Sequence, residues 1–251
     1  MSGHSKWSSI KHQKGVADAR RGQLFTKLTR EIIVAVRQGG SNPEVNYSLR
    51  LAKQRAHDNN MPLDNIEKAI KRGSGTIDGA SLVELALEGY GPGGVAILTQ
   101  TLSDNRNRTL QDVRNIFSRG GGSLGESGCV AWLFDHQGLI LIETNDLDAE
   151  ELALQAIDAG AEDVKIEKGY VEIYTKPEEL EMVRIALEQK KLPIASADLS
   201  MIPKTMVELE EKAALQTLKL LDKLEELDDV QHVFSNVDFA DSILETYKAQ
   251  V

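Results

Sequence analysis

Residues 138–200, "GLILIETNDLDAEELALQAIDAGAEDVKIEKGYVEIYTKPEELEMVRIALEQKKLPIASADLS", decide how the chain folds. "GLILIET" (138–144), "DVKIE" (163–167), "YVEIYT" (170–175) and "IASADLS" (194–200) have the length and composition of strands. "DAEELALQAIDAG" (148–160) and "PEELEMVRIALEQK" (177–190) space their apolar residues as helices do, with Gly160 closing the first and Pro177 opening the second. "KG" at 168–169 turns the two middle strands into a hairpin. The order β-α-β-β-α-β is that of a ferredoxin-like unit.

The flanks are each incomplete. Upstream, "VELALEGY" and "VAILTQTL" read as strands joined by the turn "GPGG". A helix "TLQDVRNIFSRGGG" follows, with Thr109 as candidate N-cap and Gly120 as stop, and then a strand "GCVAWLFD". Downstream, "KTMVEL" and "VQHVFSNV" read as strands around a helix "EEKAALQTLKLLDKLEEL". Either flank alone is a half-sheet with open edges. Joined, they make a second ferredoxin-like unit that shares one sheet, with residues 135–203 inserted into it.

Before them, "LFTKLTREIIVAVRQ" (24–38) places Leu24, Phe25, Leu28, Ile32, Ala35 and Val36 on one helical arc and Lys27, Arg30 and Arg37 opposite. Two shorter helices follow. One is expected to start at Asn42 and Pro43, with Arg50, Lys53 and His57 on one face. The other starts at Pro62, stops at Gly73 and exposes Lys68, Lys71 and Arg72. "GSGTIDG" reads as a linker. The expected fold is therefore α+β: a basic arm and helical N-terminal domain (1–79), a discontinuous α/β domain (80–134 with 204–251) and an inserted ferredoxin-like α/β domain (135–203).

Charge separates along this plan. Residues 1–77 hold 14 Lys and Arg against 6 Asp and Glu, in a chain whose net charge is −10. A module for an anionic partner carried on an acidic body explains this; chance segregation on helical surfaces is the bland alternative. With 41% hydrophobic residues and no apolar run of membrane-spanning length, the chain reads as a globular cytoplasmic protein without a membrane partner. The lone Cys129, in the apolar run "GCVAWLF", reads as a buried, unreactive thiol.

Catalytic chemistry is hard to find. The five histidines show no metal-ligand spacing, and there is no "GxSxG" elbow. No cofactor, metal or catalytic residue is expected. "GGGSLGESG" (120–128) lacks the Gly-Lys-Ser/Thr ending of a phosphate loop and reads as a helix stop and turn. "SDNRNRT" (103–109) is either a polar loop, with Asp104 or Asn105 making local turn bonds, or a recognition loop in which Arg106 and Arg108 meet phosphates or bases. Trp7 either docks the arm or stacks on a base.

The strings "GHSKWSSIKHQKGVADARRGQLFTKLTREI", "GGSNPEVNYSLRLAKQRAHDNNMP", "GYGPGG", "SDNRNRT" and "GGSLGESGCVAWLF" resemble the YebC-type family, also called the probable transcriptional regulatory protein family. The likeness runs over essentially the whole chain. It implies a helical N-terminal domain and two α/β domains, one inserted in the other, with no catalytic residues. It further implies a cytoplasmic DNA-binding regulator of transcription. Mitochondrial relatives that activate translation, and a ribosomal role proposed for bacterial members, imply the alternative: a ribosome-associated translation factor that binds ribosomal RNA. The expected nucleic-acid surface is Lys6, Lys11, Lys14, Arg20, Arg21, Lys27, Arg30, Arg37, Arg50 and Lys53, with Arg106 and Arg108 in the loop. The acidic α/β domains are a candidate surface for a protein partner. DNA and RNA both remain open at this point, as does the oligomeric state.

Overall fold

The computed structural model describes residues 18–75, 82–145 and 147–250, with side chains described for 21–75, 82–145 and 147–247. Lys6, Trp7, Lys11 and Lys14, the side chain of Arg20 and most of the expected linker lie outside the described residues.

Three helices come first: α1 (Asp18–Gly39), α2 (Tyr47–Asp58) and α3 (Leu63–Gly73). Their shared core takes Leu28, Ile32 and Val36 from α1, Leu49 and Ala52 from α2, and Ile66 and Ala69 from α3. Burying one such Leu or Ile stabilises by roughly 1.5–3 kcal/mol. Helix α3 crosses close over α1 at Gly73, where a β-carbon would sit 2.7 Å from the Val36 side chain.

The second helix starts later than Asn42 and Pro43 suggest. Asn42 instead opens a single turn, accepting the Glu44 N–H on its side chain at 3.0 Å. The cap of α2 is Asn46, which is buried and accepts the Leu49 N–H at 3.1 Å. The same side chain donates to Ala35 O and Gly40 O, each at 2.7 Å, so it closes the end of α1 while it opens α2.

The first α/β unit begins with a hairpin, β1 (Val83–Tyr90) and β2 (Ala96–Ser103), paired from Val83↔Ser103 to Tyr90↔Ala96. A 3₁₀ turn at Pro92–Gly94 joins them, and Gly93 and Gly94 supply its positive φ angles of 72° and 78°. Helix α4 (Arg106–Arg119) and a two-residue β3 (Ser123–Leu124) follow. Helix α4 starts three residues before the expected cap: Asn105 is the N-cap, accepting the Arg108 N–H at 3.1 Å, and Thr109 lies buried inside the first turns.

"GCVAWLFD" is not one strand. Residues 131–133 form a 3₁₀ turn, and β4 (Phe134–Glu143) begins only after it. The cause is Glu88 of β1. Its buried carboxylate accepts the N–H groups of Gly128, Val130 and Ala131 at 2.7, 2.8 and 2.7 Å. Those are donors that a strand would have given to a ladder. Cys129, inside this loop, is half-buried rather than fully buried.

Strand β4 opens the inserted unit: α5 (Ala149–Asp158), β5 (Asp163–Glu167), β6 (Tyr170–Thr175), α6 (Leu180–Gln189) and β7 (Ile194–Pro203). Its sheet order is β5-β6-β4-β7, antiparallel throughout, which is the ferredoxin-like arrangement. Phe134 pairs with Pro203, so the chain enters and leaves the insert side by side.

The chain then returns to the first unit through β8 (Val207–Glu208), α7 (Glu211–Glu225), β9 (Val230–Ser235), β10 (Val237–Asp238) and α8 (Asp241–Gln250). Strand β9 completes the sheet β3-β1-β2-β9. "KTMVEL" does not join it: only Val207–Glu208 is strand, paired parallel with β10 in a separate two-stranded sheet. Asn236 makes the break, because its side chain, not the ladder, accepts the Ala96 N–H at 2.8 Å. Helices α4 and α7 pack on one face of the β3-β1-β2-β9 sheet around Val113, Phe117, Leu218 and Leu221.

Candidate nucleic-acid interface

The cations of α1 divide by the side of the helix they occupy. Arg21 and Arg37 are exposed. Lys27 and Arg30 instead turn toward the α/β body. The Lys27 ammonium donates to Glu225 O at 2.6 Å, and Gln23 donates to Glu226 O at 3.3 Å. These are carbonyls at the end of α7, where a helix leaves its acceptors unpaired and its dipole favours cations.

Arg30 reaches one turn further. Its guanidinium donates to Asp228 O at 2.7 Å, Leu102 O at 3.2 Å and Asp229 Oδ1 at 2.6 Å. Asp229, 7% exposed, also accepts Arg108 Nη2 at 2.8 Å and Thr109 Oγ1 at 2.6 Å. Burial alone raises the Asp229 pKa, but the hydrogen bonds from Arg108, Thr109 and Arg30 outweigh it and hold the carboxyl below the ordinary aspartate value. Arg108 further pairs with Asp104 at 2.8 Å. Within "SDNRNRT", Asp104, Asn105 and Arg108 are thus spent on local structure. Arg106 and Asn107 are exposed and form no side-chain hydrogen bond or ion pair among the described residues.

Two open depressions flank Arg30. One, of about 350 Å³, is lined by Arg30 and Arg108 but also by Asp104, Asp112, Asp228 and Asp229. Four carboxylates make it unsuited to phosphate. The other, of about 480 Å³, runs between α1 and α3, with Arg30, Arg37 and Arg72 along it, Thr29 and Asn65 as neutral polar groups, and Phe25, Ile33 and Leu82 as its apolar wall. Among the described residues, Asp104 is the one acid that lines it. Beside it, α3 exposes Lys68 and Lys71, which, like Arg72, form no ion pair among the described residues.

Helix α2 contributes less than its sequence suggests. Arg50 donates to Pro43 O at 2.8 Å, lies 3.4 Å from Glu181 of α6 and stacks over the Tyr47 ring at 5.9 Å. Lys53 is half-exposed and makes no ion pair among the described residues. Arg55 is taken up by Glu31 at 2.6 Å and by Asp198 of β7. The structure therefore brings Arg30 and Arg37 together and adds Arg72 and Asn65, which the residue list drawn from sequence lacks. The signal for Arg72 was the basic cluster with Lys68 and Lys71 on α3; nothing local marks Asn65.

The family model described as the TACO1/YebC protein N-terminal domain matches residues 5–76, and the model described as the TACO1/YebC second and third domain matches residues 82–237. A probable transcriptional regulatory protein of Dehalococcoides mccartyi is 61% identical over 250 residues, covering 100% of both chains. One from Natranaerobius thermophilus is 50% identical over 249 residues, covering 98% of this chain and 100% of that one. The crystal structure of a conserved hypothetical protein from Aquifex aeolicus superposes with a TM-score of 0.86 at 48% identity, covering 94% of this chain and 97% of that one.

Proposed function

This chain belongs to the TACO1/YebC family, and we propose that it is a non-enzymatic regulator of gene expression that binds nucleic acid, duplex DNA first, through its basic N-terminal region. The observation that carries this reading is the groove between α1 and α3, edged by Arg37 and Arg72 and continued by the exposed Lys68 and Lys71. It lies in the part of the chain with 14 basic against 6 acidic residues. Lys6, Lys11, Lys14, Arg20 and Arg21 belong to the same basic segment in sequence. The role of these cations is phosphate neutralisation, which fixes position without reading bases. Arg106, exposed and unpaired among the described residues, is the base-reading candidate of the 103–109 loop, and Arg108 the residue that shapes that loop. The names of the relatives, probable transcriptional regulatory proteins, favour DNA as the target.

A salt titration of binding tests the reading. With about five phosphates neutralised, log affinity falls against log salt with a slope near −4 to −5 on duplex DNA. Replacing Lys68, Lys71 and Arg72 by Ala flattens that slope by roughly 2–3, and so does replacing Lys11, Lys14, Arg20 and Arg21, by somewhat more. Arg106→Ala leaves the slope within about one unit and narrows the gap between preferred and random sequences. An unchanged slope in both multiple variants refutes the interface. Tight binding to structured ribosomal RNA with negligible duplex binding replaces the DNA reading with that of a ribosome-associated translation factor.

A further inference from the structure

Helices α5 and α6 turn large apolar side chains away from their own core. Leu154 and Ile157 on α5 are 64% and 57% exposed, and Met182 and Ile185 on α6 are 59% and 40% exposed. Each pair is spaced i, i+3 and so shares one side of its helix. The inward sides are already filled, by Leu152 and Ala156 on α5 and by Leu180, Val183 and Leu187 on α6. The two helices are neighbours in one layer. Lys190, just past α6, donates to Gln155 O at 3.2 Å, and the Met182 methyl lies 3.7 Å from where a β-carbon on Gly160 would sit.

Acids surround these side chains. Glu150, Glu151 and Asp158 are exposed on α5, as are Glu178 and Glu188 beside Met182 and Ile185. The one cation on the two helices, Arg184, is held by Glu181 at 3.0 Å and by Glu188. The apolar centre is edged by these acids, and the exposed Lys176, Lys190 and Lys191 are confined to the two ends of α6. Exposed apolar side chains gathered in this way mark interaction surfaces.

We propose that the α5–α6 face docks a cationic amphipathic helix of another protein, whose apolar residues meet Leu154, Ile157, Met182 and Ile185 while its Lys or Arg side chains meet the acidic rim. Charge complementarity selects this occupant. A second copy docking through its own α5–α6 face would set one acidic rim against another, and nucleic acid or anionic lipid would be repelled. The proposal is independent of the nucleic-acid reading, since it uses the acidic part of the chain.

The test is fluorescence anisotropy with a labelled amphipathic helical peptide of leucine and lysine, a leucine–glutamate peptide of the same pattern as control, and sedimentation velocity of the protein alone. The leucine–lysine peptide binds the full chain and the leucine–glutamate peptide does not. Leu154→Ser with Met182→Ser, both at exposed positions, weakens binding about tenfold or more with thermal unfolding unchanged. Glu150→Lys with Glu151→Lys weakens it while leaving the apolar centre intact. Equal binding by the double serine variant would overturn the proposal, because plain charge attraction would then explain the complex. Self-association of the wild type that the serine variant loses would overturn it in favour of a second copy.

Discussion

At Asp229 a single carboxylate joins two arginines from opposite ends of the chain's first half. Arg30 lies 199 positions away in sequence and Arg108 lies 121 away. The folded-state pKa is depressed, so this carboxylate contributes stability above the ordinary aspartate pKa of 3.8, and the contribution is lost as pH falls from there through the lower folded value. Asp229→Asn is expected to cost roughly 1.5–3 kcal/mol at neutral pH, because it leaves Arg30 facing a neutral amide. The difference between wild type and variant should shrink below about pH 4, which thermal unfolding across pH 3–7 would check. A constant difference at every pH would show that Asp229 acts through shape alone. Cys129 makes a smaller point at the same scale. Burial, with the nearby Glu88 carboxylate adding to it, pushes its thiol up, so native labelling at neutral pH should be slower than in denaturant.

Among the elements, the junction of α1 and α2 depends on one side chain. Asn46 caps α2 and satisfies two carbonyls at the end of α1, all from a buried position. Asn46→Ala removes three hydrogen bonds, and the expected loss is about 2–4 kcal/mol in denaturant unfolding, well above the ~1 kcal/mol of an exposed cap. A loss within the ordinary cap range would mean that water replaces the side chain. Asn42, by contrast, closes only a local turn, so Asn42→Ala should cost under ~1 kcal/mol. The strand expected in "GCVAWLF" failed for a related reason. Its apolar run matched a strand, but its N–H groups were claimed by Glu88, some forty residues upstream.

In the whole molecule, two arginines lock the helical region onto the rest. Arg30 binds the α7–β9 turn, and Arg55 bridges Glu31 to Asp198 of the insert. Replacing both by Met should loosen this docking while each core stays folded. The radius of gyration from small-angle scattering should rise, amide exchange should quicken around residues 228–229, and the circular dichroism spectrum should stay unchanged. An unchanged radius would place the docking energy in apolar contacts instead. The same two residues explain why a basic sequence is an incomplete guide to a basic surface: part of the positive charge holds the molecule together.

The sequence by itself determined the class of most of the longer helices and strands and the ferredoxin-like order of residues 138–200, because hydrophobic period, Gly and Pro stops and strand length act over a few residues; the 3₁₀ turn at 131–133, β3 and α8 lay outside what it showed. It also determined the charge separation between the two parts of the chain. The likeness of "GHSKWSSIKHQKGVADARRGQLFTKLTREI" and the other quoted strings to one family was equally legible there. Only the tertiary structure decided which cations face solvent. Arg30, Arg55 and Arg108 meet carboxylates brought in by packing, whereas Lys68, Lys71, Arg72 and Arg106 meet none among the described residues. Charge is carried by the residue type, but its availability depends on Coulomb partners within a few ångströms, and those neighbours come from parts of the chain that no local pattern connects.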